Sequence, residues 1–243
     1  MKRIGLLVPS SNTTVEPEFY RALPGGVTLH TARLYLTRIA ADSILKMVED
    51  METQSRLLAS ADVDVIVLGA TAPSFLKGLG YDRELIRKIE AAAGKPATTT
   101  STALIEALRH LSVTRVGLGS AYDDKVNALA KSFLQENGVE VLNTQGLNLV
   151  DNLVVGRLGV ETAYDLACKV DRPDCEAIVL ACTNWKTMDA IERVERELGK
   201  PVISTTQVSI WAALRIIGGI DGVPGYGQLL RDLAVAGKQT QPT

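Results

Sequence analysis

The sequence predicts an α/β protein of two pseudo-symmetric doubly wound domains, each with a four-stranded parallel sheet flanked by helices. Three observations predict it. First, the chain repeats itself. Arg3-Ile4-Gly5-Leu6 returns as Arg115-Val116-Gly117-Leu118, and Val65-Ile66-Val67-Leu68-Gly69-Ala70-Thr71 returns as Ala177-Ile178-Val179-Leu180-Ala181-Cys182-Thr183. Both returns share an offset of 112 residues (3 to 115, 70 to 182). Two copies mean a duplicated domain, since a solenoid needs shorter and more numerous units. Second, continuous β-branched runs such as Asp64-Val65-Ile66-Val67-Leu68 suit strands buried on both faces of a parallel sheet. Third, apolar residues at helical spacing lie between those runs.

In chain order, Met1-Lys2-Arg3-Ile4-Gly5-Leu6-Leu7-Val8-Pro9 reads as a first buried strand. Its apolar stretch is too short for a secretory signal, and polar Ser10-Ser11-Asn12 follows at once. Ser43 to Leu58 is a helix with Ile44, Met47, Val48, Met51 and Leu57 as its apolar positions. The strand through Val65–Leu68 ends at Ala70-Thr71. Gly94-Lys95-Pro96 leads into a further strand and then a helix over Thr102 to Leu111. The second copy opens at Arg115. Asp124 to Asn137 is its first helix, with Val126, Leu129, Ala130, Phe133 and Leu134 as its apolar positions, and Gly138 stops it by adopting φ > 0. The strand through Ala177–Ala181 ends at Cys182-Thr183. Gly199-Lys200-Pro201 repeats the earlier Gly-Lys-Pro and precedes a helix over Thr206 to Ile217. The helix near Thr102 is expected to cross into the second domain and the helix near Ser209 to cross back. The domains then comprise residues 1–100 plus 208–243, and 101–207. Gly237 to Thr243 is expected to be a frayed tail.

Composition narrows the function. Of 243 residues, 46% are apolar and 22% charged, the balance of a soluble globular chain, which excludes disordered, collagenous and disulfide-scaffold classes. Lys plus Arg is 26 against 28 for Asp plus Glu, so no basic field exists to hold a phosphate backbone. Nucleic acid is therefore excluded as a partner. No apolar run reaches the ~18–20 residues of a membrane helix. Cys168, Cys175 and Cys182 lack CxxC spacing, so neither a disulfide framework, structural zinc nor a dithiol site is indicated, and a reduced, cytoplasmic protein is expected. Cys168 and Cys175 read as packing or surface residues. His30 and His110 stand far from the strand-end motifs, no Ser-His-Asp arrangement is supported, and no metal-ligand spacing occurs. Gly222 to Gly227 lacks the strand–GxGxxG–helix context of a nucleotide site.

In open parallel sheets, ligands bind beyond the carboxyl ends of the strands. Two such domains facing each other make a cleft there, and the duplication puts Ala70-Thr71 and Cys182-Thr183 on opposite walls. Pro9-Ser10-Ser11-Asn12-Thr13-Thr14 ends the first strand, and Gly119-Ser120-Ala121-Tyr122 ends its duplicate. Small and hydroxyl residues at these turns leave backbone N–H groups open for an anion.

Several separated motifs then point to one superfamily. Pro9-Ser10-Ser11-Asn12-Thr13-Thr14-Val15-Glu16-Pro17-Glu18 and Asp151-Asn152-Leu153-Val154-Val155-Gly156-Arg157 are like the opening and middle motifs of maleate cis–trans isomerases. Thr98-Thr99-Thr100-Ser101-Thr102-Ala103, Ala121-Tyr122-Asp123-Asp124-Lys125-Val126-Asn127 and Pro224-Gly225-Tyr226-Gly227 are closer to arylmalonate decarboxylases. The chain thus resembles, over nearly its whole length, the aspartate/glutamate racemase superfamily and, within it, the maleate isomerase and arylmalonate decarboxylase group. The resemblance implies chemistry without a cofactor or metal, on a small dicarboxylate. Racemases place one cysteine on each wall of the cleft. In the isomerases the first is a nucleophile and the second supplies protons. The decarboxylases keep only the second, which protonates one face of an enediolate.

By this resemblance Cys182 is the second cysteine and Ala70 holds the place of the first. Alanine offers no acid, base or nucleophile, so two-sided racemisation and thiolate addition to maleate are not expected. Protonation from one side remains. Thr71 and Thr183 would donate N–H or hydroxyl groups to the carboxylate, Tyr122 its phenol, and Asn12 and Asn152 their amides. Ala72 stands where the decarboxylases offer a hydroxyl, with Ser74 as a candidate replacement. A helix start after Thr183 would favour the Cys182 thiolate. Leu36, Val154, Val155, Met188 and Trp185 are candidates for an apolar pocket that desolvates the leaving carboxylate. The leading reading is a decarboxylase of a substituted malonate. The alternatives are a maleate isomerase or racemase whose first cysteine has been replaced at Ala70, and a protein that binds a dicarboxylate without turnover. A homo-oligomer stays open.

Overall fold

Two separate parallel sheets organise the computed structural model, which describes residues 1–233. The expected tail over Gly237 to Thr243 lies outside the described residues. Strands β1 (Lys2–Pro9), β2 (Val27–Leu34), β3 (Val65–Leu68) and β4 (Ala97–Thr99) form one sheet, in the order β2-β1-β3-β4. Strands β5 (Arg115–Ser120), β6 (Glu140–Gly146), β7 (Ala177–Ala181) and β8 (Val202–Ser204) form the other, in the order β6-β5-β7-β8. The duplication extends to register. Ile4 pairs with Val65 in the first sheet, and Val116 pairs with Ala177 in the second, each the other's counterpart 112 positions along (4 to 116, 65 to 177). Every residue of β3 and β7 is buried, which is why these strands read as unbroken apolar runs.

Helices cover both faces of each sheet. Along the first half of the chain α1 (Val15–Ala22) follows β1, α2 (Ala41–Met47) and α3 (Met51–Ser60) follow β2, α4 (Thr71–Phe75) and α5 (Tyr81–Ala93) follow β3, and α6 (Thr100–His110) follows β4. Along the second half α7 (Asp124–Glu136) follows β5, α8 (Asn152–Gly156) and α9 (Val160–Val170) follow β6, α10 (Ile191–Leu198) follows β7, and α11 (Thr205–Ile217) and α12 (Gln228–Arg231) follow β8. The two Gly-Lys-Pro copies are equivalent helix stops. Gly94 and Gly199 end α5 and α10 at φ +62° and +65°, where a side chain is strained. Gly138, just beyond α7, also has positive φ, as its position predicts.

The helix expected over Ser43 to Leu58 is broken by a 3₁₀ turn at Val48–Asp50. Beyond it Met51, Ser55 and Leu58 face inward, and Leu57 faces solvent at 57% exposure. Ser55 takes an inward place without cost because its hydroxyl donates to Met51 O at 2.7 Å. Helices α6 and α11 pack against each other at the junction of the lobes, joined near their starts by a bond between the Thr100 and Ser209 hydroxyls at 2.9 Å. Thr99 caps α6 by accepting from Thr102 N, and Ser204 with Gln207 forms a capping box on α11.

Candidate active site

The carboxyl ends of β1, β3, β5 and β7 converge on one cavity between the lobes. All seven residues singled out in the sequence line it: Asn12, Ala70, Thr71, Tyr122, Asn152, Cys182 and Thr183. Its volume is about 30 Å³, far below the ~300–1,000 Å³ of pockets that enclose drug-sized ligands. Leu36, Ile39, Ile44, Pro9 and Pro73 supply an apolar wall, all from the first lobe. Over the cavity, Ile39 N–H donates to Val150 O at 2.9 Å and the backbones of Arg38 and Asp151 form an isolated antiparallel β-bridge, so the loop after β2 meets the loop after β6.

Hydrogen bonds among the strand ends set the polar side. Asn12 Oδ1 accepts from Thr14 N–H at 2.9 Å and Val15 N–H at 3.0 Å, which caps α1 and fixes the amide plane. Its Nδ2 then donates to Thr183 Oγ1 at 3.2 Å, and that hydroxyl donates across the lobes to Gly69 O at 3.0 Å. Asn152 opens α8, whose cap is Asp151, and donates from Nδ2 to Ser11 Oγ at 2.8 Å. Asn184, adjacent to the Cys182-Thr183 pair, ties the ring together. Its Oδ1 accepts from Thr13 N–H at 2.8 Å and its Nδ2 donates to Asn152 O at 2.5 Å. Sequence reasoning missed Asn184, although its position directly after a predicted site pair was a usable signal.

Donors remain for a ligand. The Thr71 hydroxyl is buried without a partner. Thr71 and Ala72 begin α4, whose N-cap is Ala70, a residue with no side-chain acceptor, so the first amides of this turn are uncapped. Among the described residues the Thr183 N–H also has no hydrogen-bond partner. Tyr122 packs edge-on against Phe75, and burial, followed by the neighbouring Cys182, pushes its phenol well above the ordinary range, so it stays a neutral donor.

Cys182 sits in strained backbone. Its φ is +149°, in a region that side-chain-bearing residues rarely adopt. Its N–H donates to Thr205 Oγ1 at 3.0 Å, and Trp185 N–H returns to Cys182 O at 3.2 Å. Burial pushes the thiol up to about 11, opposed by the Asn184 N–H, the Tyr122 hydroxyl and the Trp185 N–H. At neutral pH the sulfur therefore carries its proton, and three donors await the thiolate once that proton leaves. The expected helix after Thr183 is absent. Thr183 to Trp185 is a turn, and a 3₁₀ turn follows at Met188–Ala190. Individual donors at the turn take the role that a helix start was expected to play.

Other expectations fail for packing reasons. Of the apolar candidates only Leu36 lines the cavity. Val155, Met188 and Trp185 are fully buried away from it, and Val154 is 40% exposed. Ser74 does not replace the hydroxyl missing at Ala72, because it faces α6, bonded to Thr71 O at 2.9 Å and Ser101 Oγ at 2.8 Å. Among the described residues no cluster of His, Cys, Asp or Glu is disposed to hold a metal ion, and no helix is long and apolar enough to cross a membrane.

Comparison with known proteins gives a consistent result. The family described as arylmalonate decarboxylase matches residues 4–230. The chain is 32% identical over 229 residues to an arylmalonate decarboxylase of Bordetella bronchiseptica, covering 93% of this chain and 95% of that one. The solved structure of a maleate isomerase from Pseudomonas putida superposes with a TM-score of 0.92 at 28% identity, covering 96% of this chain and 99% of that one. A maleate cis–trans isomerase of Nocardia farcinica superposes with a TM-score of 0.90 at 27% identity, covering 95% and 98%.

Proposed function

The chain belongs to the arylmalonate decarboxylase family, and from that footing we propose that it is a cofactor-independent decarboxylase of a substituted malonate or a similar small dicarboxylate. The observation that carries the reading is the single thiol in the cavity. Cys182 faces a lobe whose equivalent position is Ala70, so hydrogen can be supplied from one side only.

The chemistry follows from the donors and the apolar wall. One carboxylate of the substrate is held by the Thr71 hydroxyl, the amides opening α4, the Thr183 N–H and the Tyr122 phenol. The other lies toward Leu36, Ile39 and Ile44, where loss of hydration raises its energy. The bond between this carboxylate and the α-carbon breaks, carbon dioxide leaves, and the electron pair moves into an enediolate on the retained carboxylate. Donors already in place stabilise that charge, each worth about 3 kcal/mol where removal has been measured in other enzymes. Cys182 then delivers its S–H proton to the α-carbon. The resulting thiolate is held by Asn184 N–H, Trp185 N–H and Tyr122 until water restores the proton.

Purified protein is expected to release carbon dioxide from phenylmalonate, and a prochiral disubstituted malonate is expected to give one product enantiomer in excess. Cys182→Ser should lower kcat by about two orders of magnitude or more, since a serine hydroxyl is a far weaker acid. Undiminished turnover in Cys182→Ser would sink the mechanism.

A further inference from the structure

One face of α1 is bonded to the loop that follows Cys182, and the mechanism above does not use it. Thr14, Glu18 and Arg21 are spaced four and three residues apart and so share that face. Thr14 Oγ1 donates to Asn184 O at 2.9 Å, Glu18 Oε1 accepts from Met188 N–H at 3.3 Å, and Arg21 pairs with Asp189 at 2.9 Å. The first contact grips the loop at its start, and the other two, at neighbouring residues, grip it at its end. The Arg21–Asp189 pair is about half exposed on both sides, and a pair in that setting holds little. Glu18 is different. It is 2% exposed, and its second oxygen, Oε2, is buried without a partner, as are the hydroxyls of Thr187 in the loop and Thr206 at the start of α11. A carboxyl does not occupy such a place for packing alone, because an apolar side chain would fill it at lower cost.

We propose that Glu18 is a positioning residue for Cys182: its carboxyl holds Met188 and so keeps the strained turn at Cys182 closed against the cavity. The inference rests on the decarboxylase reading for its functional meaning, since it makes α1 the part of the first lobe that presents the proton donor carried by the second. The charged groups facing Glu18 are Arg21 on its own helix and Asp189 on the 3₁₀ turn; α11 faces it with Thr206, which is uncharged. Burial pushes the carboxyl up to about 7, against the opposing effects of Thr206, Met188 N–H and Arg21. Because burial favours the protonated carboxyl, the closed turn is held best while Glu18 keeps its proton, and the grip loosens as pH rises through about 7.

The test is the rate at which iodoacetamide alkylates Cys182, mapped by peptide mass spectrometry from pH 6 to 8, with buried Cys175 as the internal control. Glu18→Ala is expected to raise the Cys182 rate about tenfold and leave Cys175 unchanged. Glu18→Gln keeps an acceptor for Met188 and should restore the slow rate at pH 6. A thiol well below its pKa reacts about tenfold faster per pH unit. The wild type should rise more steeply than that, as ionised Glu18 loosens the turn, while Glu18→Gln should follow the full slope. Equal rates and slopes in all three proteins overturn the proposal, and so does a parallel rise at Cys175. If Glu18→Ala does not fold, the slope of Glu18→Gln decides alone. Failure of the decarboxylase reading shows separately, as phenylmalonate turnover that survives in Cys182→Ser, and leaves the alkylation result standing.

Discussion

At Cys182 the backbone and the sulfur make opposite demands. A φ of +149° suits glycine, yet a side chain is present and held there by Thr205 and the turn that follows. Such strain costs on the order of 1–3 kcal/mol. In ordinary backbone a glycine is less stable than an alanine by roughly 0.5–1 kcal/mol. Here the order should reverse, with Cys182→Gly melting above Cys182→Ala in calorimetry. Glu18 carries a second energetic signature. Burial pushes its carboxyl in the folded protein up to about 7 from an ordinary 4.5. A raised acid pKa means stability that is fully present below about pH 4.5 and lost as pH rises through about 7. The shift corresponds to about 3 kcal/mol. Glu18→Gln should therefore remove this decline, melting above the wild type at pH 8 and showing no such advantage at pH 4. Cys182 and Ala70 were legible in the sequence because the 112-residue offset aligns them. Glu18 lay inside a recognised motif, but its burial depends on a loop 170 positions away (18 to 188), which local sequence does not encode.

At the scale of elements, the repeated Arg-x-Gly-Leu of β1 and β5 shows how much of the duplication is packing. A Cβ built on Gly117 meets Val170 O at 2.4 Å, a backbone atom at the end of α9 that cannot turn aside. A Cβ on Gly5 meets only side chains, the nearest at 3.2 Å. Gly117→Ala should thus lower the melting temperature clearly, with a cost in the overpacking range of ~1–3 kcal/mol, while Gly5→Ala should cost less. Strands β3 and β7 and helices α6, α7 and α11 were readable because apolar runs and helical spacing report burial directly. The break between α2 and α3 was not, because Met47 and Met51 keep a helical spacing across the 3₁₀ turn. The helix expected after Thr183 failed for another reason. There the chain turns so that Asn184 can bond to Thr13 and Thr14 just ahead of α1 and to Asn152 at the start of α8, and those contacts replace the intrahelical bonds of a continuing helix.

At the scale of the molecule, the two copies differ in what they bring to the cavity. The first lobe supplies the apolar wall and the uncapped amides of α4; the second supplies Tyr122 and Cys182. The sequence carried the fold class through its repeats and strand ends, which also point to Ala70, Thr71, Cys182 and Thr183, while Asn12, Tyr122 and Asn152 were legible through the family resemblance of their motifs. It did not carry Ile39 and Ile44 as lining residues, because the short loop after β2 and the start of α2 bring them to the cavity, a property of the tertiary structure and not of periodicity. The Thr183–Gly69 bond joins the lobes at the floor, and the Arg38–Asp151 bridge joins two loops at the roof.

A pocket this much smaller than a substituted diacid has to widen before one can enter. The proposed reaction then has two gates in series, parting of the two copies and chemistry at the sulfur, and ties across the seam that shield a carbanion from stray water also slow the arrival of the next molecule.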